Sequence, residues 1–412
     1  MRGDCPLLVF VVCVAPACGD SGSSVVHPGA GDASGGGAGA GCSPGVTRCT
    51  GASGVEVCDA TKQWSEPWTC ATGTCSGGAC TGATTSATSC QASGDGLTTC
   101  GANRESCCTS LEVAGGTFYR TYDDVNYIDG GYAPAADGGP SDPSDPATVS
   151  GFRLDKYLVT VGRFRRFVSA WVAGYTPLPG SGMHAHLSAG RGLAGTAAGY
   201  EPGWVAADDT NVRPTEANLG CGTVDTWTPA PGSQENLPIN CVVWWEAYAF
   251  CIWDGGFLPS ESEWEYAAAG GSQQREYPWG STDPGTLNQY AIYGDGNGTG
   301  NCYYPTGGAC SGAANVAPVG TATLGAGLWG QVDMAGDLFE WNLDWYAPYV
   351  TPAVNSAYMA LNSAMIADMA DASRVIRGGA FFYTSDLAAP YRNFGAPSYR
   401  STFIGFRCAR TP

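Results

Sequence analysis

The chain has 412 residues, a formal net charge of −18, only 14% charged residues, 61 Gly and 19 Cys. The acidic balance argues against a nucleic-acid partner, because binding phosphates requires clustered Lys and Arg. So many cysteines argue against an ordinary cytosolic enzyme and point to an oxidising compartment, while the 44% apolar content still supports one large core.

In chain order, residues 1–17 read as a secretory signal. Arg2 gives a positive start, and Leu7 to Ala15 form an apolar run too short to span a bilayer. Ala15-Pro16-Ala17-Cys18-Gly19 is similar to a bacterial lipobox, with Ala15 where Leu is usual. Cys18 is therefore the expected lipidation site, and the lipid the expected membrane contact of a cell-envelope lipoprotein. Cleavage near Ala17 without lipidation is the alternative and leaves a secreted protein. Residues 18–41 carry the anchor Cys and a tether of Gly, Ala and Ser that has no means of forming a core.

Residues 42–110 are a cysteine-rich region. Cys42, Cys49, Cys58, Cys70, Cys75 and Cys80 make one even set, and Cys90, Cys100, Cys107 and Cys108 another. Large apolar residues are sparse there, so disulfides must replace the missing core. The region has no C-x-x-C pair and no His, which removes the zinc reading. The pairing stays open, and the expected role is a spacer or a surface-binding knob.

Residues 111–412 form the large domain. Val161, Phe164, Phe167 and Trp171 recur at helical spacing, which predicts an amphipathic helix from Thr160 to Val172 with Gly174 as its C′ residue. Arg163, Arg165 and Arg166 are placed on its solvated face. Residues 175–235 are loop-rich, and His184-Ala185-His186 is assigned to a surface loop because no third metal ligand is evident. A second helix runs to about Trp253 and stops at Gly255-Gly256. Ser260 caps a third, with Glu263 three residues on completing a capping box. Glu261 and Glu263 suit the positive end of that helix dipole, and Trp264, Ala267 and Ala268 face the core. From Gly327 to Tyr346 three Trp, one Phe and one Tyr stand beside four carboxylates. Neither a 3.6 nor a 2.0 period fits, which predicts irregular backbone with carboxylates turned inward or onto a cation.

Several motifs then line up in order. They are Val113-Ala114-Gly115-Gly116-Thr117-Phe118, Leu154 to Thr160, Leu258-Pro259-Ser260-Glu261-Ser262-Glu263-Trp264-Glu265-Tyr266-Ala267, and Tyr277-Pro278-Trp279-Gly280. Met334-Ala335-Gly336-Asp337-Leu338-Phe339-Glu340-Trp341, Arg374 to Phe381, and Gly405-Phe406-Arg407-Cys408 follow. Together, over roughly residues 113–412, they resemble the sulfatase-modifying-factor family, the formylglycine-generating enzymes and their relatives. The resemblance implies an α+β fold, the family's elaboration of the C-type-lectin-like domain: few helices, small antiparallel sheets and much ordered coil, here preceded by a small disulfide-rich region.

The resemblance also implies a disulfide between Cys251 and Cys408, and calcium at Asp337 and Glu340 with a second site nearer Asn288. Cys221–Cys241 and Cys302–Cys310 are plausible local bridges by proximity. Active members hold copper on two thiolates, as soft sulfur ligands favour. Laid on this chain those positions are Tyr383 and Ala388, the preceding Ser falls at Ala380 and an Asn falls at Phe403. Copper is therefore not expected. The expected role is a surface binding module whose cleft is walled by Trp341, Arg377, Phe381, Tyr383, Arg392 and Tyr399, and which takes a peptide, a glycan or a surface protein. The alternative is a copper-dependent oxidase acting on a sulfatase cysteine.

Overall fold

The computed structural model describes residues 87–123, 140–196, 199–295, 300–310, 312–359, 372–383 and 385–412, with short strands between residues 47 and 81. The expected signal, Cys18 and the tether lie outside the described residues. Among the described residues, no helix is long and apolar enough to cross a membrane.

The large domain is built from strands β1 (Ser110–Val113), β2 (Gly116–Thr121), β3 (Ser144–Val149) and β4 (Phe152–Asp155), and helices α1 (Val161–Val172), α2 (Trp244–Trp253) and α3 (Glu261–Ala268). Strands β5 (Phe339–Trp345), β6 (Ala353–Val354), β7 (Arg374–Arg377), β8 (Arg392–Gly395), β9 (Ile404–Gly405) and β10 (Ala409–Arg410) follow. They form three small sheets. β4 lies between β1 and β10, antiparallel to both. β3 lies between antiparallel β2 and parallel β6. The third has the order β8-β7-β5-β9, with Glu340 opposite Arg377 and Phe339 opposite Ile404. These are the fold features of the family pattern: small sheets, few helices and long ordered coil.

Local chemistry explains the helix starts. Thr160 Oγ1 accepts from the Arg163 backbone N–H at the head of α1. At α3, Ser260 Oγ accepts from Glu263 N while Glu263 Oε2 accepts from Ser260 N, the reciprocal capping box. The apolar stripe of α1 packs Phe164 and Phe167 against Phe250 of α2, with ring centroids 5.8 Å apart in both pairs. Phe406 closes the cluster on Phe164 and Phe250. A disulfide joins Cys251 of α2 to Cys408 beside β10, with an S–S distance of 2.05 Å.

Three features differ from expectation. The second half of the aperiodic stretch is not coil but strand β5, with every residue from Phe339 to Asp344 buried. A strand covered on both faces shows no alternation, so its period is invisible in the sequence. Arg163 does not lie on a solvated face. It is fully buried, with Nη2 2.9 Å from Asp155 Oδ2 and 2.7 Å from Asp254 Oδ2. Two buried carboxylates require a counter-charge, and that need overrides the helix-face reading.

Finally, residues 87–110 pack as part of the large domain, upstream of the boundary placed at residue 110. Cys100 and Cys107 sit in one buried cluster with Tyr157, Leu158 and Val319. Ser89 N donates to Asp254 Oδ1 at 2.6 Å. Disulfides Cys90–Cys108 and Cys100–Cys107 close this segment on itself. Cys49–Cys75 bridges the strands nearer the N-terminus.

Candidate functional site

The site is set by the turn after β7. Gly378 and Gly379 have φ of 97° and 72°, the left-handed region that favours glycine. A Cβ at Gly378 would lie 3.0 Å from Met334 O, and one at Gly379 2.9 Å from Asp386 O. Only glycine fits both requirements. The turn buries Ala380 and then presents Phe381, Phe382 and Tyr383 in succession.

These rings form one aromatic cluster. Centroids are 4.8 Å apart for Phe381–Phe382, 4.3 Å for Phe382–Tyr383 and 5.4 Å for Phe382–Phe403. Phe339 of β5 meets Tyr383 edge-on at 5.9 Å. Ala388 is buried. The positions on which the resemblance lays the family's Ser, two Cys and Asn, namely Ala380, Tyr383, Ala388 and Phe403, thus hold two methyl groups, a phenol and a phenyl ring. No thiol stands in for the missing pair: the six cysteines beyond Cys108 form Cys221–Cys241, Cys251–Cys408 and Cys302–Cys310. A bis-thiolate copper site does not fit these residues.

The expected cleft residues separate into two groups. Phe381 and Tyr383 belong to the aromatic cluster, and Tyr399 is exposed. Trp341, Arg377 and Arg392 are committed elsewhere. Trp341 is fully buried and its indole donates to Val242 O at 3.1 Å. Arg377 is fully buried between Glu261 and Glu265, and donates to Tyr391 O at 2.7 Å. Arg392 clamps both oxygens of Glu261 at 2.8 Å. These three side chains hold the floor together and do not wall a cleft. Glu261, read above as a helix-end charge, and Glu265 are the buried counter-ions of the two arginines.

The expected calcium ligands also separate. Both Glu340 oxygens accept from Arg407, at 2.7 and 2.8 Å, in a bidentate pair. Glu340 is therefore spent, because the cation it needs is supplied by the protein. Asp337 is fully buried with φ of 63°; its Oδ1 accepts from Ala317 N at 3.0 Å and its Oδ2 has no partner. Burial, then the neighbouring Asp333 carboxylate, push Asp337 well above the usual carboxylate range. Asn288 Nδ2 donates to Tyr303 O at 2.9 Å and its buried Oδ1 is unpartnered. Two hard oxygens with no protein donor have the chemistry of calcium ligands. Among the described residues, no group of three or more His, Cys, Asp or Glu gathers that could hold a metal ion.

One cluster was not anticipated. His184, assigned above to a surface loop, is fully buried between two carboxylates: Nδ1 lies 2.9 Å from Glu201 and Nε2 2.9 Å from Glu263. Burial alone pushes its pKa down, but Glu201 and Glu263 reverse this and raise it to about 10. His184 is therefore an imidazolium clamp joining a long loop to the cap of α3. His186 has no partner on either ring nitrogen, and burial lowers it to about 4. No local signal marks the clamp, since its acceptors lie 17 and 79 residues away.

Residues 98–412 match the family described as Sulfatase-modifying factor enzyme 1-like domain. The chain is 31% identical over 316 residues to the formylglycine-generating enzyme of Thermomonospora curvata, covering 73% of this chain and 93% of that protein. It is 32% identical over 191 residues to a Bos taurus protein named inactive C-alpha-formylglycine-generating enzyme 2, covering 44% of this chain and 53% of that one. Among solved structures, PvdO from Pseudomonas aeruginosa aligns at 20% identity with a TM-score of 0.45, over 74% of this chain and 94% of that chain.

Proposed function

The chain belongs to the sulfatase-modifying-factor family, and on that premise we propose that it is an exported, lipid-anchored binding module without formylglycine oxidase activity. One observation carries the reading. The positions of the redox thiols hold Tyr383 and Ala388, and every cysteine beyond Cys108 is consumed in a disulfide. The family reaction needs two free thiolates to hold copper and pass electrons to oxygen, and this domain offers neither. What stands in their place is the cluster of Phe382, Tyr383 and Phe403 with Tyr399 exposed nearby in sequence, a surface suited to contacts with a peptide, a glycan or a surface protein.

The test is direct. Purified protein is incubated with Cu(I), oxygen and a Cys-x-Pro-x-Arg peptide, and aldehyde is measured. The expected result is no aldehyde above a copper-only control; turnover above it returns the oxidase reading. Anchoring at Cys18 is tested by fatty-acid labelling, which is expected in the wild type and lost in Cys18→Ala; equal labelling of both removes the anchor. Calcium at Asp337 belongs to the same proposal. A ligand bound only by the folded state stabilises it, so a chelator is expected to lower the melting temperature of the wild type and not of Asp337→Ala, which removes the ligand oxygens. An unshifted wild type removes calcium.

A further inference from the structure

A pocket of about 220 Å³ lies at the Trp345–Arg374 end of the β5–β7 pair, away from the turn that carries Tyr383. Its aromatic wall is Trp244, Trp245, Tyr248 and Trp345, with Val205, Met359 and Leu343 adding apolar surface. The polar lining is Arg374, Asp208 and Glu201.

Arg374 is unlike the other buried arginines around the core. Arg163, Arg377, Arg407 and Arg410, and the partly buried Arg392, each hold a carboxylate in an ion pair. Arg120 makes no ion pair among the described residues, yet its Nε and Nη2 both reach carbonyl oxygens. Arg374 is only 8% exposed and lies with its Cζ 3.6 Å from the ring centroids of both Trp244 and Trp345. Its Nη1 donates to Leu343 O at 2.6 Å, and its Nε has no acceptor. Asp344 and Asp208 act on it only at longer range, and neither forms an ion pair with it. Asp344 is already occupied by the backbone N–H groups of Glu261 and Tyr358. Glu201 is occupied by His184. Among the described residues no carboxylate pairs with Arg374; a buried cation without a counter-ion is costly, and this one forms part of the wall of an aromatic pocket.

We propose that this pocket binds a small organic carboxylate with a planar or apolar body, its carboxylate on Arg374 and its body against Trp245, Tyr248 and Met359. The volume allows it: an apolar cavity of ~150 Å³ already takes a benzene ring, and the larger pocket here leaves room for an attached carboxylate. Charge-assisted bonds to guanidinium are the strong kind, and the two indoles hold the guanidinium plane in place, so little ordering is required on binding. The inference is independent of the reading proposed for the Tyr383 cluster.

The probe is phenylacetate, with phenylacetamide as its neutral counterpart. Binding to the full chain is followed by tryptophan fluorescence and by calorimetry. The expected result is saturable binding of the acid at millimolar or lower concentration, about tenfold or more tighter than the amide. Val205 is 44% exposed on the rim, so Val205→Trp fills the pocket without touching the core. It is expected to abolish binding with an unchanged melting temperature. Asp208→Asn removes the competing carboxylate and is expected to tighten the acid about two- to threefold. Equal binding of acid and amide, binding that survives Val205→Trp, or no binding of either compound overturns the proposal.

Discussion

Phe339 and Glu340 are neighbours on β5, yet they belong to regions built on different principles. Glu340 lies in a lattice of paired charges. Arg407 clamps it bidentately and also donates to the carbonyls of Asp155, Lys156, Val332 and Asp333. Arg163, Arg377 and Arg410 are buried in the same manner, each against two carboxylates. Phe339 faces the other region, the cluster of Phe381, Phe382, Tyr383 and Phe403, whose side chains meet through ring packing. The lattice cannot lose a member cheaply, because a partner left behind is a bare buried charge. The aromatic region can exchange side chains as long as volume is filled. That difference lets side chains around Tyr383 be exchanged while the fold is kept.

Breaking the lattice is expected to have the largest effect. Arg407→Met leaves Glu340 unpaired and is expected to cost about 3–5 kcal/mol of stability, read from denaturant unfolding. A loss below about 1 kcal/mol would mean that the pair is not holding the scaffold.

The His184 clamp sharpens the comparison through pH. Its folded pKa, raised to about 10, lies above the unfolded value of 6.5. The stability it contributes is therefore fully present below about pH 6.5 and is lost as pH rises through about 10. His186 runs the other way: its pKa is lowered to about 4, so its contribution is present above 6.5 and lost as pH falls through about 4. Melting temperatures taken at steps across the alkaline range are expected to fall in the wild type and to be nearly flat in His184→Gln. Parallel profiles for the two proteins would falsify the clamp.

The smallest effect is expected in the aromatic region. Tyr383 is half-buried, and Tyr383→Ala is expected to cost about 1–2 kcal/mol while leaving the unfolding cooperative. A loss as large as that of Arg407→Met would place Tyr383 in the scaffold and remove the contrast between the two regions.

What was legible in the sequence was local or covalent in scale. The capping box of Ser260 and Glu263 spans one helical turn, and α1 shows its period because only one face is buried. The ordered motifs from Val113 to Cys408 were enough to place the chain in its family and fold. Tyr383 and Ala388, the residues that the resemblance lays on the redox positions, are also visible as letters. Tertiary structure alone decided which charges meet: Arg163 finds Asp254 91 residues away, and His184 finds Glu263 79 residues away. It decided that β5 is a strand, because burial on both faces erases the alternation that would reveal one. It also decided that Trp341, Arg377 and Arg392 serve the floor of the domain, and that Arg374 lies beside a pocket with no ion-pair partner among the described residues. Periodicity and capping act over a few bonds of one chain, whereas the pairing of buried charges is settled only when distant segments are brought together and water is removed.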